Sequence, residues 1–115
     1  TSRSALDGEA RETWLSRGEG FANRPRQDIL VPATTISALL DKHGIGQVDL
    51  LLLDVEGAEL DVLGGLDFDR HAPRHILAED AYSDEVALFL EARGYVRTGI
   101  LLERKFTRDC LYRRA

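Results

Sequence analysis

Apolar positions along the chain change period at Gly57. Before it, Val48 and Leu50 to Leu53 form a short run broken only by Asp49, which suits a strand buried on both faces of a parallel sheet. After it, Ala58, Val62 and Leu66 recur at helical spacing with Leu63 beside them, leaving Glu59 and Asp61 to face away. Between the two lies Asp54-Val55-Glu56-Gly57, a sharp turn that holds two carboxylates.

Toward the N-terminus the pattern is weaker. Leu6-Asp7-Gly8-Glu9 reads as a turn, Ala10 to Leu15 as a short strand around Trp14, and Gly18 to Gln27 as a loop. Trp14 is read as a packing residue, and Arg24 and Arg26 as part of a solvated loop face. Asp28 to Val31 is a short extended segment that Pro32 ends or holds at a sheet edge. Thr34 or Thr35 then caps a helix with the stripe Ile36, Leu39 and Leu40. Gly44 and Gly46 close it, with His43 in its last turn.

Past the central helix, Leu66 to Pro73 reads as a polar linker with His71 at the surface. Arg74 to Ala78 is a second short buried strand that ends in Glu79-Asp80, with His75 at its opposite end. The interval from Asp54 to Ile76 has room for a right-handed crossover containing a helix, so the two strands are predicted to be parallel. As neighbours, their ends would lie about 5 Å apart and gather Asp54, Glu56, Glu79 and Asp80 around one crevice. Ser83-Asp84-Glu85 opens a helix over Val86, Phe89 and Leu90, which Gly94 stops. Tyr95 to Leu102 alternates, with Val96, Thr98, Ile100 and Leu102 on one face. Glu103 to Arg108 is a charged turn, and Asp109 to Arg113 returns as a strand around Cys110. The order β-α-β-α-β-α-β-β predicts an α/β fold, a parallel sheet ending in an antiparallel hairpin.

Composition narrows the class more than the chemistry. With 115 residues, 43% hydrophobic and 30% charged, the chain is one domain's worth or less of an ordinary soluble fold. A net charge of -5 argues against a nucleic-acid partner. The basic cluster Arg104, Lys105, Arg108, Arg113 and Arg114 reads as a solvated hairpin and tail. No apolar run approaches the roughly 18–20 residues that span a bilayer, and no signal-peptide pattern opens the chain. The single cysteine, Cys110, fits a reducing compartment, so a cytoplasmic protein without a membrane partner is expected. There is no methionine, even at position 1, and the chain reads as cut from something longer.

Open α/β sheets bind ligands outside the carboxyl ends of their strands, which makes the acids at the two strand tips the candidate site. A carboxylate there can take or share the proton of an alcohol. Asp54 is the first choice for that base or orienting group and Glu56 the second. Glu79 and Tyr82, at and just past the second tip, are candidate substrate contacts. Glu59 is read as serving the N-terminus of its helix. Oxygen ligands suit magnesium, but these residues define no clear ligand set, and no metal site is expected.

The run VPATTISALLDKHGIGQVDLLLLDVEGAELDVLGGL resembles the distal half of FkbM-type methyltransferases. The family's D-V-E-G-A-E motif stands complete as Asp54-Val55-Glu56-Gly57-Ala58-Glu59. The segment R-H-I-L-A-E ending at Glu79 resembles the family's next strand, and Asp7-Gly8-Glu9-Ala10 resembles an upstream turn. Leu52 and Ser37 depart from the pattern, standing where many relatives carry lysine and aspartate. The likeness covers most of residues 5–97 and is strongest over 32–79. It implies the C-terminal half of a Rossmann-like class I methyltransferase fold. It also implies methyl transfer from S-adenosylmethionine to a hydroxyl oxygen of a small molecule or glycan, with Asp54 and Val55 at the cofactor. The family's glycine-rich first loop and ribose-gripping acid would precede Thr1. The chain alone is therefore expected to lack much of the cofactor cradle and to be inactive, with further N-terminal strands or a partner chain at the open sheet edge.

Three other readings stand beside this one. A receiver-type phosphoacceptor domain also ends an apolar strand in aspartate, but no lysine follows the strand that ends at Glu79. A phosphohydrolase D-x-D would need other residues where Glu56 and Ala58 stand. A non-catalytic α/β fragment or interaction module would dock on a partner that supplies the missing strands.

Overall fold

The structure, a computed structural model, describes residues 26–115. The chain divides into two compact units, Thr1–Thr34 and Thr35–Ala115. In the first, the described residues 26–34 hold no helix or strand beyond an isolated bridge at Pro32. The expected strand around Trp14, the turn before it, Arg24 and most of the glycine-containing loop lie outside the described residues.

The second unit alternates as the hydrophobic pattern predicts. Its elements are α1 (Ile36–Lys42), β1 (Leu50–Leu53), α2 (Glu59–Gly64), α3 (Phe68–His71), β2 (His75–Asp80), α4 (Glu85–Glu91), β3 (Tyr95–Glu103) and β4 (Arg108–Arg114). Thr35 caps α1, its Oγ1 accepting the Ala38 N–H at 3.1 Å. Gly44 and Gly94 end α1 and α4 with φ of +66° and +89°, the left-handed conformation that glycine adopts without a Cβ penalty. β1 and β2 are parallel, with Leu50 opposite His75 and Leu53 opposite Ala78. β4 runs antiparallel to both β2 and β3, giving the order β1-β2-β4-β3. The closing hairpin forms as expected, and its second strand lies inside the sheet.

One face of this sheet carries the core. Leu53, Ile76, Ala78, Cys110 and Tyr112 alternate inward and pack with Leu63 of α2, Val86, Ala87 and Leu90 of α4, and Tyr95. Each large apolar side chain taken from water contributes roughly 1.5–3 kcal/mol, so these few contacts position the strand ends firmly. Among the described residues, no helix is long and apolar enough to cross a membrane.

Three features depart from the hydrophobic pattern. β1 is not buried on both faces: Leu51 and Leu53 point to the core, while Leu50 and Leu52 are 55% and 63% exposed. A run of four leucines reads the same whether one or both faces are covered. On β3, register shifts between Arg97 and Gly99 and between Ile100 and Leu102 break the predicted alternation. Ile100 pairs with Cys110 while Leu102 pairs with Asp109, so the two leave the sheet on opposite faces.

The linker read as polar and surface-exposed contains α3 and buries His71. Ser37 Oγ lies 2.9 Å from His71 Nδ1 and accepts the Asp67 N–H at 2.6 Å. His71 Nε2 is 3.2 Å from Asp41 Oδ1. Arg70 donates to both Asp41 oxygens, and Ser37 and His71 are both buried. This serine–histidine–aspartate set therefore ties α1 to α3, and its hydroxyl is not presented to solvent.

Candidate functional site

The parallel register sets the site. Because Leu53 is level with Ala78, the next residue of each strand, Asp54 and Glu79, leaves the sheet at the same edge. The turn after β1 adds Glu56. Asp54, Glu56 and Glu79 each bring one carboxylate oxygen to the cluster, all within 4.8 Å of one another. Carboxylates this close favour a proton or a positively charged group between them. Glu79 shows the effect: burial, then the negative charges of Asp54 and Glu56, push its carboxyl up to about 7 against the pull of Arg104. His75, at the other end of β2, is remote from the cluster as expected.

The turn itself has an unusual backbone. Glu56 has φ +52° and Gly57 φ +95°. Glycine accepts such a φ freely, whereas a residue with a Cβ gives up roughly 1–2 kcal/mol there. Glu59 closes the turn. Its two carboxylate oxygens accept the N–H groups of Val55 and Gly57, each at 3.1 Å. Helical periodicity places Glu59 on the outward face, but it is buried, its carboxylate turned back to the N–H groups of the preceding turn. Burial raises its carboxyl above the ordinary range, and the backbone bonds oppose the rise. A small recess of mixed polar and apolar lining lies beside this turn, bordered by Glu59, Leu60, Asp80, Ser83, Glu85 and Val86.

Asp80 does not join the cluster. Consecutive strand residues point to opposite faces, so Glu79 faces the rim and Asp80 turns to the core side. There it accepts bonds from Arg108 Nε and the Tyr82 N–H, both at 2.8 Å, with Cys110 Sγ at 3.5 Å. It is a structural anchor. Tyr82 follows with φ +60°, its hydroxyl donating to the Arg104 carbonyl at 2.5 Å and its ring under the Arg108 guanidinium.

Within the basic cluster read as solvated, Arg108 is instead largely buried against Asp80. Arg104 is exposed as expected but also reaches the rim, its Nη1 lying 3.6 Å from Glu79 Oε2. Its guanidinium also donates to both oxygens of Asp109, at 3.2 and 2.9 Å. Asp109 holds it charged first, with Glu79 and Asp54 adding at longer range. The signal that would have found it is register: β4 lies next to β2 and pairs Glu79 with Asp109, which carries the hairpin tip over the rim.

Comparison with known proteins adds a family. The family model described as Methyltransferase FkbM domain matches residues 2–97. Over 43 residues the chain is 42% identical to the adenylyl-sulfate kinase of Myxococcus xanthus (strain DK1622). That stretch is 37% of this chain and 23% of the kinase, so the likeness spans less than a quarter of that curated relative. No solved structure matches significantly.

Proposed function

Because the chain belongs to the FkbM methyltransferase domain family, we propose that its acidic rim serves S-adenosylmethionine-dependent methyl transfer to a hydroxyl oxygen of a small molecule or glycan. The observation that carries this reading is the convergence of Asp54, Glu56 and Glu79 at the carboxyl ends of two adjacent parallel strands. A parallel pair joined through α2 and α3, followed by an antiparallel hairpin, supports the C-terminal half of a Rossmann-like methyltransferase sheet. In this reading the glycine-rich part of the cofactor cradle comes from further strands or from a partner chain. A buried, unpaired Cys110 is in keeping with a cytoplasmic location.

The donor set fits a cationic methyl donor. Three carboxylates share the rim, and Arg104 is committed first to Asp109. When bound, S-adenosylmethionine supplies an electrophilic methyl group on a positively charged sulfur. Asp54, exposed at the tip, takes the acceptor's hydroxyl proton or orients that hydroxyl by accepting a hydrogen bond from it, with Glu56 as second choice. Asp54 and Val55 would border the donor, and Glu79 and Tyr82 would contact the acceptor. Their task is alignment, since methyl transfer is an in-line displacement that rewards geometry.

The test is to incubate the native polypeptide that carries this chain with methyl-labelled S-adenosylmethionine and a panel of alcohol and sugar acceptors. Label should appear in an ether, and Asp54→Asn should slow its formation about a hundredfold. Absence of both S-adenosylmethionine binding and transfer would overturn the reading.

A further inference from the structure

Glu59 lies at this site without a part in the proposed reaction. It is only 4% exposed. Among the described residues no cation lies within ion-pair distance of it, and three further carboxylates stand around the same turn. A buried carboxylate of that kind is costly unless its bonds achieve something. Its two bonds are placed for a purpose. The Val55 N–H belongs to the peptide directly after Asp54, and the Gly57 N–H to the peptide directly after Glu56. Each oxygen of Glu59 thus fixes the backbone just beyond one rim acid. The strained φ of Glu56 requires such a constraint, because a non-glycine residue keeps that conformation only where its surroundings over-determine it.

We infer that Glu59 is a positioning residue, a two-oxygen clamp on the 54–57 turn that makes the carboxylates of Asp54 and Glu56 converge on Glu79. The inference rests on the proposed function only in giving the convergence a purpose; the clamp itself is a property of the folded chain. Released from it, the turn relaxes toward an ordinary backbone, and the acids separate.

Glu59→Asp separates position from charge. It keeps the negative charge but shortens the side chain by one methylene, so the carboxylate no longer spans both N–H groups. The readout is the titration midpoint of the Glu79 carboxyl in the intact protein, followed by carbon-13 NMR, with amide signals of β2, β3 and β4 as the check on folding. This needs no methyl donor, so its failure is distinguishable from failure of the methyltransferase reading. The clamp predicts that the Glu79 midpoint falls from about 7 by roughly one pH unit or more as its neighbours move off. An unchanged midpoint in a folded E59D protein would overturn the inference. If E59D does not fold, Glu59→Gln is read with and without the pair Asp54→Asn and Glu56→Gln. A drop that largely disappears in the D54N/E56Q background supports positioning, and an equal drop in both backgrounds overturns it.

Discussion

Leu53 stands level with Ala78 across the parallel pair β1–β2, and from that pairing follows the placement of Asp54 beside Glu79. Strand residues alternate faces, so a register shifted by one would turn Glu79 to the core side and bring Asp80 to the rim. The core locks the register in place. Leu53 and Ala78 sit on the same buried face as Cys110, where a one-residue slip would expose apolar side chains and bury charge.

The raised carboxyl of Glu79 has a consequence for stability. Its folded value of about 7 lies above the ordinary 4.5, so between these values the folded chain binds more protons than the unfolded one. Stability from this group is complete below pH 4.5 and is lost as pH rises through 7. Glu79→Gln should remove that decline and leave the protein more stable than wild type at alkaline pH. Urea unfolding across the range checks it; an unchanged pH slope would contradict the assignment.

The tie between Ser37 and His71 should be worth measuring by itself. Ser37→Ala removes the acceptor for the Asp67 N–H and the partner of His71 Nδ1 in a buried place. A loss of about 1–2 kcal/mol in chemical denaturation is expected. Ser37→Thr, which keeps the hydroxyl, should lose less if the added methyl is accommodated.

Two arginines of the same hairpin should behave differently. Arg108 is the partner of Asp80 and both side chains are largely buried, so Arg108→Ala strands a buried carboxylate and should cost about 3 kcal/mol. Arg104 is 43% exposed, and Arg104→Ala should cost less than about 1 kcal/mol. The same R104A substitution should raise the Glu79 midpoint further, since it removes the cation that lowers it.

Much of this architecture is legible in the residues. The change of period at Gly57 marks strand, turn and helix, and Thr35, Gly44 and Gly94 mark the helix ends where the structure has them. That Asp54 and Glu79 stand at neighbouring strand ends is expected from a crossover long enough for a parallel pair. What the pattern lacks is information carried by long-range register and by side-chain direction. Arg104 reaches Glu79 only because β4 enters the sheet beside β2. Helical periodicity turns Glu59 outward, whereas two backbone N–H groups draw it in. His71 is polar and sits among polar neighbours, so nothing local shows that Ser37, 34 residues away, will bury it. The two bulges of β3 are likewise invisible to a strict alternation.

The shared rim is tested most directly by titrating Glu79 in wild type and in Asp54→Asn. Carboxyl carbon-13 NMR should place the wild-type midpoint near 7, and removing the Asp54 charge should lower it by roughly one unit. A Glu79 that titrates at the ordinary 4.5 and does not respond to Asp54→Asn would contradict this, showing that the two carboxylates do not face one another.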